Sequence, residues 1–298
     1  MSSRIAQFLE RLEHADRATA AKLLKLIRHR VPRFFYKYCS ATGVGIEGAL
    51  LRSELYLSPP QDFNDPFEFQ MRIVYAGTET EKILALRRSA RSLGMPLKNA
   101  IPTARRLISH PGTDMESQLR RAHRRAIQDF GVYCLAGAGP RSILMWSHYG
   151  AHHKGACLVF HATRDPRLFA EALPVTYDDE FQTINWVDVN ALVGRLKDVI
   201  LNKARCWEYE DEYRLIRSDA ARTTVAYRPE ALAGVVLGTA AGSEEIERVI
   251  ALCKQRQTIG LPPLKLFHAE MAGNAYKLRV RRSLDLERSI SAAAAIAP

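Results

Sequence analysis

The 298-residue chain is 47% hydrophobic and 25% charged, a composition typical of a globular protein that is large enough to bury a sizeable core. No segment approaches the roughly 18 consecutive apolar residues of a membrane span, and the first residues lack a signal-peptide pattern. Five dispersed cysteines without C-x-x-C spacing indicate neither a disulfide framework nor a zinc site. We therefore expect a soluble cytoplasmic protein with no membrane partner.

The charge balance favours an anionic partner. The sequence has 43 Lys and Arg against 32 Asp and Glu, a net charge of +11, which suits nucleic acid or a phosphate-bearing ligand. Much of the excess lies in one set of arginines: Arg87, Arg88, Arg91, Arg105, Arg106, Arg120, Arg121, Arg124 and Arg125. The alternative interpretation, a set of solvated helix faces, stays open at this point.

The beginning of the chain is helical by its apolar spacing. Residues 4–30 place leucine, isoleucine and phenylalanine at helical intervals, and Pro32 ends the pattern. We predict an N-terminal helical extension over residues 1–32, which caps the core or binds a protein partner through residues 1–30. Aromatic and aliphatic runs then predict strands at 34–38 and 55–57.

The segment at about 78–130 is predicted to be a helical insertion, since arginine-rich amphipathic patterns at 81–93 and 114–130 are separated by prolines. Strand patterns dominate from Val132 onward, at 132–136, 156–160, 173–177, 212–216, 224–227, 234–237, 264–268 and 275–280. Helices are predicted at 188–205 and 243–257. Residues 286–298 are predicted to form a disordered tail.

The order of these elements indicates the fold class. Strands and helices do not alternate regularly, which argues against a doubly wound parallel sheet and favours a single α+β domain over residues 33–285. The pairs Gly43-x-Gly45 and Gly137-x-Gly139 lack the remaining glycines of a dinucleotide fingerprint, and there is no P-loop. A Rossmann dehydrogenase and a Walker-type ATPase are therefore not expected.

A first polar cluster is Phe63-Asn64-Asp65-Pro66-Phe67-Glu68. Asn64 and Asp65 before a proline predict a turn with side-chain-to-backbone hydrogen bonds. By itself this pattern is typical of a structural turn. Glu68, which follows the turn, is kept as a candidate site residue together with Asn64 and Asp65.

A second cluster is Met145-Trp146-Ser147-His148-Tyr149-Gly150, followed by His152. His148 and His152 have the i, i+4 spacing of a helical metal pair, but the sequence offers no H-E-x-x-H pattern and no evident third ligand, so we predict no metal site. Trp146, Ser147, His148 and Tyr149 are instead predicted to form the wall of a cleft. Aromatic faces with hydrogen-bonding tips suit a nucleobase or nicotinamide.

The third cluster, Cys206 to Arg214, is dense in acids and aromatic residues. If the segment after Trp207 is extended, Glu208, Glu210, Glu212 and Arg214 lie on one face of a strand. Stacked carboxylates repel one another unless cations lie nearby, and Lys203 and Arg214 are the local candidates. The cluster is either a structural ion-pair network or a functional cleft, and we favour the cleft.

The order of the clusters, NDPFE then MWSHY then WxYExEYR, resembles a widespread and mostly uncharacterised bacterial family, a domain of unknown function. More distantly, the layout resembles that of ADP-ribosyltransferases. That resemblance implies a split antiparallel sheet with peripheral helices and a cleft for NAD, which is the substrate of those enzymes. It implies an early strand with Lys37 or Tyr38 in the cleft, a middle element at 133–136 with the following 146–149, and a late glutamate at Glu212 or Glu210.

The same resemblance implies roles for the remaining candidates. NAD would be held by Lys37, Tyr38, Trp146, Ser147, His148, Tyr149, Trp207 and Arg214, with Glu212 and Glu210 catalytic and with Asn64, Asp65, Glu68 and Lys203 elsewhere in the cleft. One departure is visible, because the relatives carry a serine in the middle strand where this chain has Cys134-Leu135-Ala136.

Three functions remain as hypotheses from the sequence. The leading one is an ADP-ribosyltransferase-like toxin or phage-defence effector that uses NAD to modify a macromolecule. The second is a non-enzymatic nucleic-acid-binding or sensor module, in which the arginine-rich helices bind and the acid cluster is structural. The third is a metal-dependent nuclease.

Overall fold

The structure is a computed structural model that describes residues 31–92, 102, 115–188 and 199–294. It contains a large, mostly antiparallel sheet with several helices, which confirms the predicted mixed α+β class. The predicted N-terminal extension at 1–32 falls almost entirely outside the described residues. Contacts divide the chain into a sheet unit (residues 1–58, 131–175 and 208–298) and a second unit (residues 59–130 and 176–207).

The described residues form 14 strands: β1 Phe34–Cys39, β2 Glu54–Tyr56, β3 Arg72–Val74, β4 Gly131–Ala136, β5 Ala156–His161, β6 Leu173–Pro174, β7 Thr176–Asp178, β8 Thr183–Asn185, β9 Asn202–Ala204, β10 Glu212–Arg217, β11 Thr224–Ala226, β12 Leu232–Leu237, β13 Lys265–Met271 and β14 Leu278–Arg282. The α-helices in the same residues are α1 Val44–Glu47, α2 Glu79–Ser92, α3 Met115–Ile127, α4 Ile143–Tyr149, α5 Pro166–Phe169, α6 Ser243–Thr258 and α7 Leu284–Ala294.

The sheet unit is built on an eight-stranded sheet in the order β14-β13-β12-β5-β1-β4-β10-β6. Its pairings are antiparallel except for the parallel pair β12–β13. β1 and β5 therefore lie at the centre of the sheet, where both faces of each strand can be covered. This accounts for the aromatic and aliphatic composition of their sequences.

The two faces of the sheet support two different cores. On one face Phe35, Leu135 and Leu215 belong to the larger hydrophobic cluster, which also holds buried residues of α6. On the other face Tyr38 and Ala136 pack with Met145 and Trp146 of α4 in a smaller cluster. Because alternate residues of a strand point to opposite faces, β1 and β4 each contribute to both cores.

The second unit contains two short parallel strand pairs, β3 with β8 and β7 with β9, together with α2 and α3. Met71, Ile73, Ile184 and Val199 form its small hydrophobic cluster. The arginine-rich segment predicted at about 78–130 belongs to this unit, whose wider bounds replace the single domain expected over 33–285. Its two segments are far apart in sequence, so a local pattern does not join them.

Two predicted elements are corrected. The end of the helix predicted at 188–205 is a strand, since β9 pairs with β7, and residues 189–198 lie outside the described residues. The disordered tail predicted at 286–298 is helical as far as Ala294, because Ile290 is buried in the larger core and Leu286 packs against it. Among the described residues, none of the helices has the length and apolar run needed to cross a membrane.

Candidate functional site

Three neighbouring strands of the sheet unit bring distant residues into one row. Tyr36 of β1 pairs with Ala136 of β4, and Ala136 pairs on its other side with Glu212 of β10. Directly paired residues share a face of the sheet, so Tyr36, Ala136 and Glu212 lie side by side. Alternation places Tyr38 and Arg214 on the same face, which we call the tyrosine face.

Helix α4 covers part of the tyrosine face. The rings of Tyr38 and Trp146 meet edge to face with centroids 5.1 Å apart. The Trp146 side chain is fully buried and its Nε1–H donates to the Pro140 carbonyl at 3.2 Å, while the Tyr38 hydroxyl donates to the Gly139 carbonyl at 3.3 Å. Burial raises the pKa of Tyr38 far above its ordinary value, so the hydroxyl stays protonated. Both rings therefore support the site from beneath, whereas we had predicted that they line a cleft.

The two candidate glutamates are buried and differently bound. Glu212 Oε1 accepts from Arg214 Nε at 2.7 Å and Oε2 accepts from Arg214 Nη2 at 3.0 Å, a bidentate pair whose side chains are 4% and 0% exposed. Glu210 accepts from the Tyr149 hydroxyl at 2.7 Å, and its residue is 3% exposed. Such charge-assisted bonds fix the carboxylates in position. The predicted proximity of Tyr149 to Glu210 is confirmed.

The local shape of the acidic motif differs from the prediction. Residues Arg205–Glu210 form a 3-10 turn, and Asp211 has a positive φ of 44° before β10 begins at Glu212. Strand alternation thus applies from Glu212 onward, so Glu212 and Arg214 share a face as predicted. Glu208 is exposed and is not part of that row.

The accessible rim of the tyrosine face consists of residues that the sequence left unassigned. Tyr36 and Tyr209 are half-buried, and the exposed His148 ring lies 6.4 Å from that of Tyr209. A side chain at Gly139 would meet only the Tyr36 ring and hydroxyl, at 3.9 Å or more, so this glycine leaves open space beside Tyr36. The period of two along β1 would have paired Tyr36 with Tyr38, and it is the signal that could have found Tyr36.

Lys37 lies on the opposite face of β1. Its Nζ sits 4.7 Å from the centroid of the Tyr133 ring, on the side of the larger core. The structure therefore does not bring Lys37 together with Tyr38, Glu212 and Arg214. The prediction grouped neighbours in sequence, and neighbours in a strand point to opposite faces.

Ser147 contacts a histidine that was not predicted as a site residue. Its Oγ lies 3.0 Å from His153 Nε2, and burial lowers the pKa of His153, with a smaller contribution from His152. The segment from Ala151 to His153 has three consecutive positive φ angles. Glycine is required at Gly238 because a Cβ there would collide with the His153 carbonyl, so this loop is held tightly against the sheet.

The remaining candidates belong to the second unit. Glu68 Oε1 and Lys203 Nζ form an ion pair at 3.0 Å with side chains 1% and 3% exposed, and Lys203 Nζ lies 5.2 Å from the Trp207 ring centroid. The predicted turn is confirmed, since Asp65 Oδ1 accepts from the Phe67 N–H at 2.9 Å. Asn64 is exposed at that turn. The structure thus brings Glu68, Lys203 and Trp207 together within one unit.

A pH-dependent prediction arises at Asp211. Burial raises the pKa of its carboxyl, so ionisation favours the unfolded chain; this penalty is absent below the unfolded-state pKa and complete above the raised folded pKa. Asp211→Asn keeps a residue that tolerates positive φ and removes the charge. We expect the variant to raise the free energy of unfolding at about pH 7, by less than about 1 kcal/mol because the group is half-solvated, and not at about pH 3. Urea unfolding at both pH values measures this, and equal changes at both would contradict it.

Among the described residues, no group of three or more His, Cys, Asp and Glu side chains is placed to hold a metal ion. The helix α4, the tight loop after it, β5 to β9 and the acidic motif lie within one recognisable segment. Residues 145–215 match the family model described as "Protein of unknown function (DUF2971)". No curated protein and no solved structure shows significant similarity to the chain.

Proposed function

We propose that the protein is an ADP-ribosyltransferase-like enzyme that takes NAD as its substrate at the tyrosine face. The observation that carries this proposal is the row Tyr36–Ala136–Glu212 across three adjacent strands. A row of this kind supplies an aromatic hydroxyl from an early strand and a carboxylate from a late strand at one place. These are the residue types that the resemblance to ADP-ribosyltransferases implies.

The chemistry matches the groups that are present. Cleavage of the bond between ribose C1′ and nicotinamide releases nicotinamide with the bonding electron pair and leaves an oxocarbenium-like ribose. A fixed carboxylate beside the ribose stabilises that developing positive charge. Glu212, oriented by Arg214, and Glu210, oriented by Tyr149, are the carboxylates of the site. The half-buried Tyr36 and Tyr209 rings offer aromatic surface for nicotinamide or adenine.

Ala136 sets the main departure from the related enzymes. It stands between Tyr36 and Glu212, at the position where the relatives have serine, and its methyl group neither donates nor accepts a hydrogen bond. In this proposal the Tyr36 hydroxyl takes over the role of the missing side chain. The acceptor is a macromolecule, and a toxin or phage-defence effector is the biological setting that we propose.

Two measurements with purified protein test the proposal. NAD binding is followed by calorimetry, and nicotinamide release is followed by chromatography, with and without added nucleic acid or protein extract as acceptor. We expect slow release by the protein alone and faster release with the acceptor. NAD that neither binds nor loses nicotinamide under any of these conditions would refute the proposal.

A second candidate function is a nucleic-acid-binding module without enzymatic activity. It is favoured by the burial of Glu212, both of whose oxygens are bound by Arg214, as in a structural ion pair. It is also favoured by helix α3, on which Arg121, Arg124 and Arg125 are exposed at i, i+3 and i+4 spacing. Such a row of guanidinium groups suits a phosphate backbone.

The arginine row makes a quantitative prediction. Replacing Arg121, Arg124 and Arg125 by Gln is expected to weaken binding to duplex DNA or RNA and to reduce the slope of log K against log salt by about 2 to 3, because each lost phosphate contact removes about 0.9 from the slope. The matched control replaces three exposed cations of the sheet unit, Lys265, Lys277 and Arg279. Fluorescence anisotropy across a salt series measures both, and equal slopes for the two variants would exclude α3 as the contact.

A further inference from the structure

A second concave site lies in the sheet unit, just beyond the last residue of β5. The cavity has a volume of about 430 Å³ and opens to solvent, within the range of about 300–1,000 Å³ that is usual for small-molecule pockets. Its lining comes from the turn after β5, the turn before β12 and the loop between α6 and β13. None of the residues proposed above for the NAD site lines it.

One wall of the cavity is rich in hydrogen-bond donors. Arg164 and Arg228 bring two guanidinium groups to the lining. Arg164 Nη1 donates to the Glu230 carbonyl at 2.9 Å, which fixes the plane of the guanidinium while its other N–H groups can serve a ligand. Planar guanidinium groups suit bidentate recognition of phosphate oxygens.

Thr163 adds a neutral donor, as follows from the tautomer of His161. Arg33 Nε–H donates to His161 Nε2 at 3.4 Å, so that nitrogen is the acceptor and the proton resides on Nδ1. Nδ1–H then donates to Thr163 Oγ1 at 2.9 Å. The hydroxyl hydrogen of Thr163 is therefore left to donate to a further group, and Thr163 lines the cavity.

The opposite wall is apolar. It is formed by Pro166, Leu232, Pro262 and Pro263. Proline rings present flat C–H surfaces with little conformational freedom, so an apolar ring can pack there without ordering a flexible side chain. Glu230 contributes a single carboxylate to the lining, which opposes an anion and moderates its affinity.

The walls are held in place from within the protein. The fully buried Arg256 donates to the carbonyls of Pro229 at 2.9 Å and Pro262 at 2.8 Å, which joins the loops on two sides of the cavity. The buried Asp165 accepts from the Arg228 N–H at 2.8 Å and from the Leu168 N–H at 3.3 Å. A cavity whose rims are tied in this way is already formed before a ligand binds.

We propose that this cavity binds a small organic phosphate monoester whose ring-shaped body packs on the proline wall. Three donor side chains, Thr163, Arg164 and Arg228, match the three terminal oxygens of a phosphate monoester, whereas a carboxylate would present only two oxygens. The site is separate from the proposed NAD site and does not depend on that function.

Phenyl phosphate is a suitable probe, with inorganic phosphate, benzoate and benzyl alcohol for comparison, in titrations of the full chain followed by NMR or calorimetry. We expect phenyl phosphate to bind more tightly than the other three. Arg164→Gln should weaken it about tenfold, the effect of one lost charged hydrogen bond. Glu230→Gln should strengthen it about threefold, because a like charge is removed. Arg279→Gln, which removes an exposed charge elsewhere in the sheet unit, should leave binding unchanged.

The opposite signs expected for Arg164→Gln and Glu230→Gln separate a binding effect from a folding defect, because loss of folding weakens binding in both variants. Equal binding of phenyl phosphate and benzyl alcohol would overturn the phosphate assignment. Equal loss of affinity in Arg164→Gln and Arg279→Gln, or no binding of phenyl phosphate by the wild-type chain, would show that the cavity is not this site.

Discussion

Glu210→Gln is expected to lower the rate of nicotinamide release from NAD by about 100-fold or more, the usual effect of removing one preorganised electrostatic group from an active site. The variant keeps the size of the side chain and removes the charge that would stabilise the oxocarbenium-like ribose. Its partner is the neutral Tyr149 hydroxyl at 2.7 Å, which can also donate to an amide oxygen. Folding should therefore be little affected, and the rate measures the role of the carboxylate.

Glu212→Gln is expected to abolish turnover as well, for two reasons that need separate measurements. It removes the second carboxylate of the site, and it leaves the fully buried Arg214 without its bidentate partner. Breaking a buried ion pair in this way costs about 3–5 kcal/mol of folding stability. A thermal unfolding curve must therefore accompany the rate for this variant.

Glu208→Gln is the matched control, since Glu208 is an exposed acid of the same motif. We expect it to retain the wild-type rate of nicotinamide release. A folded Glu210→Gln protein with the activity of the Glu208→Gln control would show that Glu210 has no catalytic role. If folded Glu212→Gln protein also keeps full activity, the acid cluster is structural and the nucleic-acid-binding module becomes the better account.

Arg256→Met is expected to lower the free energy of unfolding by about 3 kcal/mol. Arg256 is fully buried and donates to the Leu50 carbonyl at 2.6 Å, in addition to those of Pro229 and Pro262. Methionine has a similar length but no donor, so three backbone carbonyls lose a charged partner, at about 1 kcal/mol or more each. The acceptors are main-chain groups, which a side-chain substitution cannot remove.

Arg248→Met is the appropriate comparison for this stability effect. Arg248 lies on the same helix, and its ion pair with Glu47 at 2.7 Å is about 40% exposed on both sides. Exposed pairs contribute about 1 kcal/mol at most, so this variant should unfold close to the wild type. Urea denaturation monitored by tryptophan fluorescence measures both variants, and equal midpoints for Arg256→Met and wild type would contradict the prediction.

Local patterns were sufficient for the elements that carry the site. β1, β4 and β10 were each predicted close to their observed bounds, because runs of β-branched, aromatic and aliphatic residues favour strands wherever they occur. The shared face of Glu212 and Arg214 also follows from the period of two in a strand. The turn at Asp65 was predictable for a similar reason, since its hydrogen bond to Phe67 spans only two residues.

Predictions failed where the outcome depends on contacts between distant residues. The acidic motif bends at Asp211, so alternation could not be extended back to Glu208. Lys37 and Trp146 were assigned to a cleft by their residue types, but one lies on the other face of the sheet and the other is fully buried. Arg256 received no role at all, because its partners Leu50, Pro229 and Pro262 come from three separate loops.

The acidic motif illustrates the division most directly. The sequence by itself determined that Glu212 and Arg214 share a face, that Tyr36 and Tyr38 do the same, and that three strands exist to carry these residues and Ala136. Only the tertiary structure decided that β4 lies between β1 and β10, and hence that Tyr36, Ala136 and Glu212 form one row. The reason is physical: side-chain alternation is a property of each strand, whereas strand order is set by which arrangement buries both faces of the whole sheet.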